Sequence, residues 1–263
     1  MTEIGTVREV WRYPVKSMRG ETMNEAFMGF SGIYGDRCAA YIRQDGKAGF
    51  PYLSASAQEQ MLQYQPVFRH PERAVLPPHL AESAGMEPGL TPLNGDPDDL
   101  SMDIVTPSGT RFDPSDVELV AMLRQGIHGE PALRLVRSDR ALTDCRPVSL
   151  ISMRTVETVG SESGIPMDRR RFRANVYVDL AANRGFAEDE LIGHRIRIGR
   201  RGVLSVLERD PRCKILSLDP DTSAHSPEVL RSVARSHSAC AGVYCAVLVE
   251  GIIAKGDTLT LLD

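Results

Sequence analysis

The sequence predicts a mainly β protein of the α+β class, closed in a barrel-like way, with a few peripheral helices. Three observations carry that expectation. Short runs of alternating apolar and polar residues recur along the chain, stretches with helical periodicity are few, and turn residues separate them. So many strands leave edges to be covered, and barrel closure removes them. At 263 residues the chain can bury one large core or two of ordinary size.

Ile4 to Trp11 alternates as a half-buried strand does, and Pro14 ends it by forcing Tyr13 out of the helical region. Lys16 and Ser17 are therefore offered from a loop at a strand end. Strands are expected at 25–28 and, after turns at Gly29, Gly32 and Gly35, at 37–43, giving a β-meander in outline as far as Phe50. The pattern then loosens. Pro77-Pro78, Pro88, Pro92, Asn94-Gly95 and Asp96-Pro97 are turn chemistry, and predict an irregular excursion over 70–100.

A strand is expected at 102–106. Ser115 and Glu118 have the spacing of a capping box, with Ser115 as the cap. Leu119, Val120, Met122 and Leu123 form the face of the helix that follows, and Gly126 stops it. After a strand at 132–136, two domains are expected to divide at 1–125 and 126–263, although no clean linker marks the boundary. Further strands are expected at 148–151, 174–180, 195–198, 203–207, 242–250 and 258–262. Ser152 is expected to cap a helix over 153–161, and Ser226-Pro227 to open another that runs to Ser236.

The bulk composition excludes several classes. Thirty-one Lys and Arg against 35 Asp and Glu argue against a nucleic-acid binder, so any anion site must be local. No apolar run reaches the roughly 18 residues of a spanning helix, and none has the shape of a signal peptide, so no membrane partner is expected. Cys38, Cys145, Cys213, Cys240 and Cys245 are odd in number and scattered, unlike a secreted disulfide framework. A cytoplasmic setting is expected.

No phosphate loop, GxGxxG, HExxH, paired CxxC or GxSxG motif is present. Cys240 and Cys245 lie in a small-residue run that suits a core. The run Arg169 to Arg173 reads either as a solvated face or as the lead into a strand that puts Arg171, Arg173 and Asn175 in one row suited to phosphate and carbonyl groups. Lys16 and Arg37 can join such a site. Cys213 also leaves two readings open. It is a thiolate favoured by Arg209 and Arg212, able to bind a metal or attack, or it is an ordinary buried cysteine.

YPVKS at 13–17, GDR at 35–37, FRANVYVD at 172–179, FAEDELIG at 186–193 and PRC…DPDT at 211–222 resemble the MOSC family. Gly242-Val243-Tyr244 and Gly256-Asp257 fit as well. Taken in order, these motifs cover essentially the whole chain. They are most similar to two-part proteins with an N-terminal MOSC β-barrel domain packed on a MOSC domain, a group that includes the mitochondrial amidoxime-reducing component.

The resemblance implies a molybdenum cofactor, one molybdenum on a pyranopterin, with Cys213 as a protein ligand to the metal. By motif match, Lys16, Ser17, Arg37, Arg173, Asn175 and Arg212 hold the cofactor, and Ser149 corresponds to a lining segment. Many relatives carry a second cysteine three residues before the ligand. Here that position is Asp210, which either donates a proton or changes the local potential. The implied reaction removes oxygen from an N-hydroxylated small molecule. No ferredoxin-like tail follows, so the electrons are expected from a separate protein of flavin reductase, ferredoxin or cytochrome type. The alternative is a cofactor carrier or sulfur-transfer module in which Cys213 carries a persulfide.

Overall fold

The computed structural model describes residues 1–83, 96 and 98–262. Its centre is a closed barrel of seven strands: β1 (Thr2–Arg12), β2 (Val148–Ser152), β3 (Val176–Leu180), β4 (Arg195–Ile198), β5 (Gly202–Pro211), β6 (Cys240–Val249) and β7 (Thr258–Leu261). Around the barrel the order is β3-β2-β6-β5-β4-β7-β1, and β1 closes the ring by pairing antiparallel with β3, Val10 opposite Val176. One pairing, β2 with β3, is parallel; the others are antiparallel.

Alternation fills the interior. Val7 and Val10 of β1, Val148 and Leu150 of β2, Val176 and Val178 of β3, and Leu204 and Val206 of β5 are buried in one cluster. Burying each such side chain stabilises the fold by about 1.5–3 kcal/mol. Cys245 belongs to this core, as expected, whereas Cys240 at the start of β6 is half-buried.

A second core has no part in the barrel. Val15, Met18, Tyr41, Leu53, Met61, Phe68, Met102, Ile104, Leu119 and Leu123 pack together. They come from short sheets and the loops beside them, from the 3₁₀ turn Glu59–Gln63 and from helix α1 (Val117–Arg124). A third cluster lies where Trp11, Tyr13, Ile151 and Tyr177 meet helices α2 (Met153–Ser163) and α3 (Pro227–His237).

The chain does not form a meander up to Phe50. Glu21–Met23 pairs with β1, Glu25–Gly29 pairs with Gly251–Ala254, and Ala39–Lys47 pairs with Leu133–Arg137. Alternation identifies strands but not partners, because register is fixed by long-range burial. β1 lies on the amino-terminal side of the expected division at residue 125, yet its partners β3 and β7 lie beyond it.

The cap of α1 is Asp116, which accepts from the Glu118 amide at 2.8 Å, not Ser115. Ser115 instead donates its hydroxyl to Asp113. Ser152 caps α2 as expected, accepting from the Thr155 amide. Ser226 makes no side-chain cap to α3, although Pro227 does open it. The turns expected at Pro88, Pro92 and Asn94-Gly95, and the proline of Asp96-Pro97, lie outside the described residues.

Candidate active site

The loop after β1 is clamped from both sides. Arg37 donates its amide to the Tyr13 carbonyl, and the Ala39 amide reaches Pro14, so 13–18 and 36–39 lie side by side. Ser17, Arg37 and Arg173 all adopt positive φ, at 68°, 45° and 53°. Each costs a non-glycine residue roughly 1–2 kcal/mol, so surrounding contacts must hold it there. All three line one cleft of about 670 Å³.

Of the nine residues singled out from the sequence, eight line that cleft: Lys16, Ser17, Arg37, Ser149, Arg173, Asp210, Arg212 and Cys213. Asn175 stands behind it. Fully buried, it accepts from the Ser149 amide at 3.2 Å and donates to the Trp11 carbonyl at 3.3 Å. It therefore ties β1, β2 and β3 together. The expected strand row of Arg171, Arg173 and Asn175 does not form, because Arg169–Phe172 is a 3₁₀ turn and β3 begins only at Val176. Arg171 reaches the cleft from that turn instead.

The cations differ in what they have left to offer. Lys16 is buried and paired with Asp144, donates to the Leu142 carbonyl at 2.8 Å, and lies over the rings of Phe50 and Tyr52. Burial draws its pKa down, and Asp144 opposes that. Arg37 is held by Asp36 and by the Arg173 carbonyl. Arg173 donates one Nη to the Met18 carbonyl and lies 4.3 Å above the Tyr13 ring, while its buried Nη2 has no partner. Burial draws its pKa down to about 10. A buried donor without an acceptor among the described residues costs about 1–3 kcal/mol.

Arg212 behaves differently. Its Nε and Nη2 donate to Ala241, its Nη1 to Phe172, and Nη2 also meets Asp210. Gly242, at φ 81°, occupies the bulged stretch of β6 beside it, and a Cβ there would lie 2.8 Å from the Leu150 carbonyl. Arg212 thus braces the backbone that presents the next residue, Cys213.

Cys213 is exposed, with Ser56 Oγ 4.0 Å from its sulfur, so the buried-cysteine reading does not apply to it. Arg209 is committed elsewhere, to Asp189 and the His237 carbonyl. Asp210 lies within β5, three residues past the expected strand end at Leu207, and is buried. It accepts from Ser149 Oγ at 2.7 Å and interacts with Tyr244. Burial raises its pKa, and Arg212 opposes that.

Sequence reasoning passed over Asp144, Tyr244 and Phe50 as members of this cleft. Tyr244 was within reach of it, since Tyr244 lies opposite Ser149 once β6 pairs with β2. Asp144 carries no pattern of its own. Among the described residues no group of three or more His, Cys, Asp and Glu side chains is placed to hold a metal ion. A metal here would take Cys213 as a single soft ligand and need the rest of its shell from a cofactor.

No protein of curated function matches the sequence. Among solved structures, the YuaD protein from Bacillus subtilis is 12% identical, over 97% of this chain and 94% of that one, with a TM-score of 0.47. YiiM from Geobacillus stearothermophilus is 19% identical with a TM-score of 0.36, and YiiM from Escherichia coli is 15% identical with a TM-score of 0.33. Each covers 45% of this chain and 55% of its own. Residues 137–260, which hold barrel strands β2 to β7 together with Asp210 and Cys213, match the family model of the MOSC domain, and over that stretch the chain is a MOSC domain.

Proposed function

We propose that the cleft holds a molybdenum cofactor with Cys213 as protein ligand, and that the protein reduces N-oxygenated small molecules. The MOSC domain is associated with molybdenum-cofactor binding, which supplies the class of ligand. The observation that carries the reading is the pairing, in one cleft, of the unpartnered Arg173 Nη2 with the exposed Cys213 thiol. Those residues fit an anionic group bearing a thiophilic metal.

The bound cofactor supplies two-electron redox chemistry for oxygen removal, and everything else is the protein's share. Lys16, Ser17, Arg37 and Arg173 hold the anionic end. Asp210, whose burial favours its protonated form, can hold a proton at its carboxyl for the departing oxygen, with Ser149 and Tyr244 fixing its orientation. Arg212 positions the Cys213 backbone. Phe50, 40% exposed, offers an apolar wall at the cleft for the substrate. Electrons come from a separate donor protein.

The test is benzamidoxime reduction by molybdenum-loaded protein with a chemical donor. Turnover lost in Cys213→Ala is the expected result. Bound molybdenum with no turnover on any N-hydroxylated compound would overturn the reductase assignment. It would favour carriage of the cofactor, which the solvent-open position of the Cys213 thiol also suits.

A further inference from the structure

Against the wall formed by Arg171 and Arg173 lies a second cavity, outside the site described above. Its cations are Arg19, Arg170, Arg171 and Arg173, and no carboxylate lines it. Asp168, Asp219 and Asp221 hold some of these guanidinium groups from outside the lining. They leave three guanidinium nitrogens over. With Arg173 Nη2 assigned to the first cleft, Arg19 Nε, Arg171 Nε and Arg171 Nη1 remain, buried without a hydrogen-bond partner among the described residues. Arg171 is only 7% exposed, and its one carboxylate contact, to Asp219, is long at 3.5 Å.

Such groups are costly to leave unpaired, and both arginines that carry them line this cavity. Several guanidinium groups around one cavity suit an oxyanion with several oxygens better than a single carbonyl. Apart from Gln65, the rest of the lining carries no charge and is largely apolar or aromatic, with Trp11, Tyr13, Leu62 and Leu218. We infer that this cavity is a second anion site, which takes the phosphate group of a small phosphate monoester whose organic part lies against Trp11 and Leu62. The site does not depend on the metal chemistry of the first cleft, and shares with it only the Arg171–Arg173 wall and Ile215.

Trp11 is the only tryptophan in the chain, so its fluorescence reports directly on this cavity. The probes are phenyl phosphate and inorganic phosphate, titrated into the metal-free protein, with the Arg19→Gln and Lys16→Gln variants as locators. Phenyl phosphate should change Trp11 emission saturably and bind more tightly than inorganic phosphate. Its affinity should fall about tenfold or more in Arg19→Gln and stay within about twofold in Lys16→Gln. If Arg19→Gln does not fold, Gln65→Ala serves as the locator, and the same loss is expected. No saturable response to either probe in the wild type would overturn the inference. So would a response abolished by Lys16→Gln and untouched by Arg19→Gln, because the anion would then sit in the first cleft. Inorganic phosphate binding as tightly as phenyl phosphate would remove the assigned role of the apolar wall.

Discussion

Arg212 Nη2 stands 2.8 Å from Asp210 Oδ2, the two residues separated by Pro211, and both side chains are under a tenth exposed. The pair immediately precedes the candidate ligand Cys213. Removing one member of a buried pair leaves the other charge uncompensated. Arg212→Ala also strands the carbonyls of Ala241 and Phe172, and should destabilise the fold by about 3–5 kcal/mol in urea unfolding. A loss below about 1 kcal/mol would show that Arg212 does not brace this turn.

Asp210 gives a pH signature. Burial raises its folded pKa above the ordinary aspartate value of about 4, so the native state holds its proton where the unfolded state has released it. Stability from this group is present below about pH 4 and declines as pH climbs to the raised folded value. Asp210→Asn removes that decline. The melting temperature of the variant relative to wild type should therefore rise between about pH 4 and pH 7, whatever its absolute offset. A flat difference across that interval would contradict the buried-acid account.

Asn175 belongs to the framework. Asn175→Ala removes its links to Ser149 and Trp11 and should cost about 1–3 kcal/mol by chemical denaturation. An unchanged unfolding midpoint with weakened cofactor retention would instead make Asn175 a direct binding residue.

Asp144 competes with any incoming anion for Lys16. Asp144→Asn relieves that pairing and should tighten phosphate binding in the first cleft by about 3- to 10-fold, measured by calorimetry at low salt. Weaker binding would mean that Asp144 contributes to the site rather than occupying it.

The sequence made much of this cleft legible because three of its segments carry local signals. Pro14 marked the loop that offers Lys16, Arg169 to Arg173 marked a concentration of charge, and Cys213 stood beside arginines at a strand end. Less legible was what each group does once folded. Arg212 and Arg173 look alike as residues, yet the first is consumed by carbonyls and the second keeps a free buried N–H. Strand partners were hidden for the same reason. Alternation in Glu25–Gly29 says nothing of Gly251–Ala254, more than two hundred residues away. The second cavity went unread because Arg19, Trp11 and Arg171 share no spacing and meet only through tertiary packing.

The most direct test of the central claim is the molybdenum and pterin content of wild-type and Arg173→Met protein purified after molybdate-replete expression. The wild type should carry molybdenum in near-stoichiometric amount and release a fluorescent pterin on denaturation. Arg173→Met should lose most of both, since the buried donor that awaits an anion is gone. Wild-type protein with neither metal nor pterin, or an Arg173→Met variant that retains both in full, would contradict the account.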